Sequence, residues 1–307
     1  MRDKSNTIFQ KTAVVFVGAM LCCFLWGSAF PGIKLGYQWM EIGPRAVGDQ
    51  ILFAGIRFTL AGIFAIIVGS MIQGKILYPN RNSIGKVVKL SCMQTVLQYM
   101  FFYIGLANTT GVKASIIEGM NVFVAIFVAS IVFGQEELTK RKMLGSVLGF
   151  FGVVLVNIMG NTGDFSLNLL GDGFIFLSTV AYAFSSVFLK RYSKEENPVM
   201  LSGYQFVFGG ICMAVMGFAM GGSLLNVNAK GIGMLVYLAM VSAIAYSLWG
   251  ILLKYNPVSK VAVFGFMNPV FGVILSAFCL GEINMINWSL GGGLILVCAG
   301  IFIVNKQ

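Results

Sequence analysis

Long apolar runs, separated by short polar breaks, fill this chain of 307 residues almost from end to end. A helix needs about 20 consecutive apolar residues to cross bilayer hydrocarbon, and the runs lack the alternation of barrel strands. With 58% hydrophobic and 10% charged residues, the chain has too little polar surface for a soluble protein. We therefore expect an all-α integral membrane protein. Its ten predicted transmembrane helices lie at about residues 13–36, 50–72, 87–106, 112–133, 143–160, 170–189, 198–220, 231–253, 258–280 and 288–305.

The net charge of +10 is divided unevenly between the two sides of the predicted membrane. If the N-terminus is inside, the inner segments hold 16 of the 21 lysine and arginine residues, whereas the outer segments hold only Arg45, Lys113 and Lys230. Cytoplasmic loops carry such an excess of positive charge. We therefore expect a cell-membrane protein (plasma or inner membrane) with both termini in the cytoplasm. Because topology accounts for the charge, no nucleic acid partner is expected.

One segment of the chain occurs twice. Residues 113–134, KASIIEGMNVFVAIFVASIVFG, return as residues 260–281, KVAVFGFMNPVFGVILSAFCLG, at a constant offset of 147. At that offset Asn121 aligns with Asn268 and, further upstream, Tyr99 aligns with Tyr246. Polar residues are rare in apolar helices, so these matches indicate an internal repeat rather than shared composition.

Every predicted helix of the first half has a counterpart in the second. Trp26 and Tyr182 both stand eight residues before a lysine, and the second and seventh helices read AGIRFTLAG and SGYQFVFGG. The repeats therefore cover residues 13–160 and 170–305, with a turn-rich stretch between them. Because each repeat holds five helices, the second must enter the membrane in the opposite sense. Such inverted repeats are typical of secondary transporters, whose binding site lies between the halves.

Several motifs occur in a fixed order along both halves. WGSAF at 26–30 precedes Lys34, FGQEELT at 133–139 precedes Gly145 and Gly152, and LGE at 280–282 precedes Gly293 and Gly300. These motifs resemble the EamA family of the drug/metabolite transporter superfamily. The resemblance implies a central cavity lined by helices one to four and six to nine, with peripheral fifth and tenth helices. It also implies export of small metabolites or amino acids.

Glu118 lies within the fourth predicted helix, about 9 Å from its outer end at 1.5 Å per residue. A charge without a partner at such a depth costs roughly 3 kcal/mol or more. Arg57, in the second helix, lies about 10 Å deep from the same side by the same count. Two interpretations are open: Glu118 contacts the solute or carries a coupling proton, or it forms a structural ion pair with Arg57.

Further polar and aromatic residues recur at matching depths in the two halves. Ser115, Glu118 and Asn121 form one stripe of the fourth helix, and Asn268 is the counterpart of Asn121 in the ninth. These amides either bind a polar solute or hold neighbouring helices together. Aromatic rings beside them suit an amphipathic or cationic solute. The candidate solute-binding residues are Trp26, Gln98, Tyr99, Ser115, Glu118, Asn121, Tyr182, Tyr246, Trp249 and Asn268.

The leading hypothesis is a secondary active transporter that exports small organic metabolites, such as amino acids, by alternating access around a central cavity. No nucleotide-binding GxxxxGK[ST] loop is present, so an ion or solute gradient would supply the energy. An uptake permease and a non-transporting receptor are the alternatives. An enzyme is not expected, because the chain has no histidine and no evident catalytic dyad or metal site. No cofactor is expected, and a homo-oligomer is left open.

Overall fold

The computed structural model describes residues 8–43, 46–109, 114, 117–158, 168–224, 227–281 and 288–306. These residues form ten helices, which confirms the predicted all-α membrane fold. Eight of the ten are long and apolar enough to cross a membrane, and the exceptions are the shorter apolar α4 and the basic-ended α5. The helices are α1 Thr12–Trp39, α2 Val47–Gln73, α3 Arg81–Leu106, α4 Ile117–Val132, α5 Lys140–Ile158, α6 Leu169–Tyr192, α7 Pro198–Ala219, α8 Ala229–Tyr255, α9 Val258–Cys279 and α10 Trp288–Asn305.

Turn chemistry in the sequence explains several helix ends. The Asn197 side chain accepts hydrogen bonds from the first backbone N–H groups of α7, and Pro198 occupies the first helical position. Asn228 accepts in the same way at the start of α8. Gly134 and Gly281, which align in the repeat, have φ angles of +57° and +72° just after α4 and α9. This left-handed conformation favours glycine, so their identity in the repeat has a backbone reason.

The helices of the two halves pack against each other in a reciprocal pattern. α2 packs against α7 and α5 packs against α10, while α1 contacts α8 and α9 just as α6 contacts α3 and α4. Exchanging the two halves leaves this list of partners unchanged. The packing therefore has an approximate two-fold axis.

Glycines at the α2–α7 crossing show that the halves run in opposite senses. Gly55 lies against Gly210, and Gly62, two turns further along α2, lies against Gly203, two turns back along α7. A Cβ atom added to Gly55 would overlap the backbone nitrogen of Ala214. The same antiparallel exchange occurs between α5 and α10. Small residues that let helix backbones approach are the usual basis of helix contacts in membranes.

Two pairs of equivalent residues touch each other and so mark the two-fold axis. The hydroxyl groups of Tyr99 and Tyr246 lie 2.8 Å apart. The rings of Phe58 and Phe206, at the α2–α7 crossing, stack with their centroids 5.2 Å apart. Equivalent atoms can meet only close to the axis that relates them. The axis therefore runs through the middle of the molecule, where the halves meet.

We call the side of the bundle on which α1 begins and α10 ends the terminal face. The largest buried apolar cluster fills the half of the bundle nearest this face, with Val15 to Cys23 from α1 and Ala125 to Ala129 from α4 among its members. Several polar contacts join the halves across the same face, two of them through charged groups. Glu136 accepts hydrogen bonds from Ser259 at the start of α9, and Lys86 forms ion pairs with Glu195 and Glu196.

Candidate functional site

A cavity of about 150 Å³ lies between the two halves, beyond the apolar cluster as seen from the terminal face. Its lining comes from α1 to α4, α6, α8 and α9. In the described part of the chain α7 contributes no lining residue, contrary to the expectation from the family resemblance, because its glycine face packs directly on α2. The predicted site residues that line the cavity are Trp26, Arg57, Gln98, Tyr99, Glu118, Asn121, Tyr182, Tyr246 and Asn268.

The two helices that carry the asparagines are irregular next to them. In α9 a 3₁₀ turn, Val263–Phe266, precedes Asn268 and Pro269. In α4 the regular helix restarts at Asn121, after a turn in which the Met120 N–H bonds the Ile117 carbonyl three residues back. A proline marks this irregularity in the second half only, so sequence reasoning could not find it in the first.

Several polar atoms in the cavity wall have no hydrogen-bond partner in the described part of the chain. They are Trp26 Nε1, Gln98 Oε1, Asn121 Oδ1 and Asn268 Oδ1, all of them buried. A buried polar atom without a partner costs about 1–3 kcal/mol, so such atoms are rare unless something else bonds them. Other buried atoms without a partner, such as Gln94 Oε1 and Ser146 Oγ, belong to residues outside the lining, so these atoms alone do not decide between the two interpretations of Asn121 and Asn268.

The ion pair considered for Arg57 and Glu118 is not formed. The Arg57 guanidinium donates to Ser242 Oγ at 3.0 Å and to the Leu238 carbonyl at 3.4 Å, both on α8, and its carbon lies 5.1 Å from the centre of the Phe58 ring. Arg57 is only 4% exposed. Glu118 is partly exposed to the cavity, and no salt bridge joins the two side chains. The sequence predicts similar depths in the membrane for Arg57 and Glu118. It does not give the rotation of α2 about its axis, which directs the Arg57 side chain towards α8.

Aromatic rings form one wall of the cavity. Trp26 packs edge-on against Tyr246, with ring centroids 5.1 Å apart, and Tyr182 lines the cavity from α6. Trp249 was predicted to contact the solute, but it does not line the cavity. It is 1% exposed and packs edge-on behind Trp26 at 4.9 Å. Trp249 lies close to one turn beyond Tyr246 on α8, so Trp26 separates it from the cavity.

Other parts of the predicted site lie elsewhere or were missed. Ser115 falls outside the described residues. Lining residues that sequence reasoning did not select are mostly apolar or small, and nothing in the sequence distinguishes them from ordinary packing residues. They are Ala29, Phe30, Ile33, Phe102, Gly119, Val122, Ala262, Gly265 and Pro269.

The FGQEELT motif contributes to packing and not to the cavity. The Glu136 carboxylate accepts a hydrogen bond from the Ser259 backbone N–H at 3.1 Å and another from the Ser259 hydroxyl. Lys142, in the first turn of α5, lies 2.8 Å from the same carboxylate. Glu136 therefore caps the first turn of a helix in the other half, where the positive end of the helix dipole favours an anion.

Known proteins are similar to this chain in sequence or in fold. The sequence pattern of the EamA-like transporter family matches residues 13–158 and again residues 169–306. An uncharacterized transporter of Archaeoglobus fulgidus is 28% identical, with 92% of this chain and 95% of that protein covered. A probable amino-acid metabolite efflux pump of Salmonella typhimurium is 27% identical over 93% of this chain and 92% of its own length. One solved crystal structure, 15% identical, shares the fold with a TM-score of 0.76 over 95% of this chain and 96% of that one.

The family match covers both halves and leaves out little more than the link between them. Its members are transporters rather than enzymes, in agreement with a multi-pass membrane chain whose cavity lies at the seam of two inverted halves. This chain belongs to the EamA-like transporter family.

Proposed function

We propose that this protein is a secondary active transporter that exports small organic metabolites, such as amino acids, by alternating access. The observation that carries the proposal is the pair Asn121 and Asn268. These residues occupy equivalent positions in inverted halves and line the same cavity, and the amide oxygen of each is buried with no partner in the described part of the chain. A site built from both halves changes its access when one half rocks against the other.

The two repeats, residues 13–160 and 170–305, would be the bundles that move. Export of an amino-acid-like solute is supported by the name of the Salmonella relative, a probable amino-acid metabolite efflux pump.

A comparison of metabolites tests the proposal. Cells that express the protein and matched cells that lack it are grown together with equal nutrients, and their media are analysed by mass spectrometry. Export predicts that one class of small metabolite accumulates in the medium of expressing cells. Depletion of a solute from that medium would instead support an uptake permease. Binding without movement into liposomes would support a receptor and contradict the proposal.

Substitution of the two asparagines is expected to slow transport. Asn121→Ala and Asn268→Ala each remove a hydrogen bond to the solute, worth about 1 kcal/mol, which corresponds to roughly a fivefold loss of flux. Membrane levels should stay normal, because neither amide oxygen bonds another helix among the described residues. Asn305→Ala, at the end of α10 and away from the cavity, serves as the control. Unchanged flux in both cavity variants would remove the asparagines from the site.

We propose a cell-membrane location with both termini in the cytoplasm, supported by the 16 basic residues on that side. A tag inserted at residue 160 should then be reached by an impermeant reagent in intact cells. A tag at the C-terminus should react only after permeabilisation. If both tags were reached from one side, the inverted arrangement would be contradicted.

A further inference from the structure

Glu118 and Arg57 are the two charged residues that line the cavity in the described part of the chain. Their situations differ. The guanidinium of Arg57 is buried at 4% exposure and already donates to Ser242 and to the Leu238 carbonyl. It is therefore poorly placed to receive an anion from the cavity.

The Glu118 side chain, in contrast, has no partner among the residues that the structure describes. In the described part of the chain no donor bonds its carboxylate and no cation pairs with it. A carboxylate in a cavity of low dielectric is stabilised by a cation that also donates hydrogen bonds. Since no described residue supplies that cation, we infer that a guest in the cavity does.

The rest of the wall favours the same kind of guest. The amide groups of Gln98, Asn121 and Asn268 also line the cavity, and each carries an oxygen that can accept a hydrogen bond. An ammonium group offers three donors and no acceptor. The aromatic rings of the wall add electron-rich faces, which attract cations. The Glu118 carboxylate and the aromatic rings thus complement a protonated amine, with amide groups beside them.

We propose that the cavity binds its solute through a protonated amine held by Glu118, and that a solute carboxylate contributes little. The inference rests on the proposed transport function for its biological meaning, but it concerns binding alone. It differs from recognition of a whole amino acid because Arg57 is already engaged by α8. A simple organic amine should therefore bind at least as well as the amino acid with the same side chain.

Three probes of matched shape test this proposal: isoamylamine, leucine and 4-methylpentanoate, which are a cation, a zwitterion and an anion at neutral pH. Binding to the purified protein in detergent is measured by calorimetry and by the fluorescence of its tryptophans, of which Trp26 lines the cavity. We expect isoamylamine to bind at least as tightly as leucine, and 4-methylpentanoate to bind at least about tenfold more weakly, as expected for a lost charge-assisted hydrogen bond. Glu118→Gln should weaken amine binding by about tenfold, whereas Glu137→Gln, on the exposed loop of the terminal face, should leave it unchanged.

The outcomes separate this inference from the transport proposal. Anion binding equal to amine binding, unchanged amine binding in Glu118→Gln, or binding of none of the three probes would overturn it. If Glu118→Gln does not fold, the wild-type ranking of the three probes decides alone. Amine binding without flux in liposomes would contradict transport and leave the amine site standing. If an anionic solute were transported and Glu118→Gln did not change its flux, the transport proposal would stand and the amine site would be contradicted.

Discussion

Replacing Gly55 with alanine is expected to destabilise the folded protein by about 3 kcal/mol, although alanine is the better helix former. The added Cβ would overlap the backbone nitrogen of Ala214 and approach the Gly210 carbonyl at 2.8 Å. Both atoms belong to the main chain of α7, so no side-chain rotation can relieve the overlap. The two helices must separate, and the stack of Phe58 on Phe206 at the crossing must open.

Thermal unfolding of purified variants in one detergent measures this effect. Gly233→Ala is the matched control, because a Cβ at Gly233 on the exposed side of α8 meets no atom within 4 Å. That change should be neutral or stabilising by up to about 1 kcal/mol. The two substitutions are chemically identical and should act in opposite directions. Equal midpoints for Gly55→Ala and the wild type would show that the α2–α7 crossing is looser than these distances imply.

Much of this fold could be predicted from the sequence, because a membrane simplifies the problem. Spanning helices can be recognised by their length and apolar composition. The repeat offset of 147 predicts that Tyr99 and Tyr246 are equivalent, and in the structure their hydroxyl groups are in contact. The same pairing put Asn121 and Asn268 at equivalent depths. The depth of a residue in the membrane and its partner in the repeat both follow from its position along the sequence, so both could be predicted.

The rotation of each helix about its axis was harder to predict. Nearly every face of a membrane helix is apolar, so periodicity says little about which side meets a partner. Arg57 therefore turned out to bond α8 rather than Glu118, and Trp249 lay behind Trp26 instead of beside it. The break in α4 at Met120 was also hidden, since the first half lacks the proline that marks α9.

Glu136→Ala is expected to cost about 3 kcal/mol of stability, because it removes one member of a buried group of charges. The Glu136 side chain is 6% exposed and that of Lys142 is 16% exposed. Without the carboxylate, the Lys142 ammonium loses its counter-charge and keeps only the Glu137 carbonyl, and the first turn of α9 loses its acceptor. The neighbouring Glu137, which is exposed, gives the control Glu137→Ala, for which little change is expected.

The pH dependence of this effect has a definite sign. Burial raises the pKa of Glu136, but the hydrogen bonds from Lys142 and Ser259 outweigh it, so the pKa lies below its ordinary value of 4.5. A carboxyl whose pKa is lowered by folding stabilises the native state above its unfolded pKa, and this stabilisation is lost as the pH falls through the folded pKa. The difference in unfolding midpoint between the wild type and Glu136→Gln should therefore be constant near neutral pH and shrink below about pH 4.5. A difference that stayed the same down to pH 3 would mean that Glu136 does not hold α9 as a charged group, because only its ionised form can keep both Ser259 and Lys142.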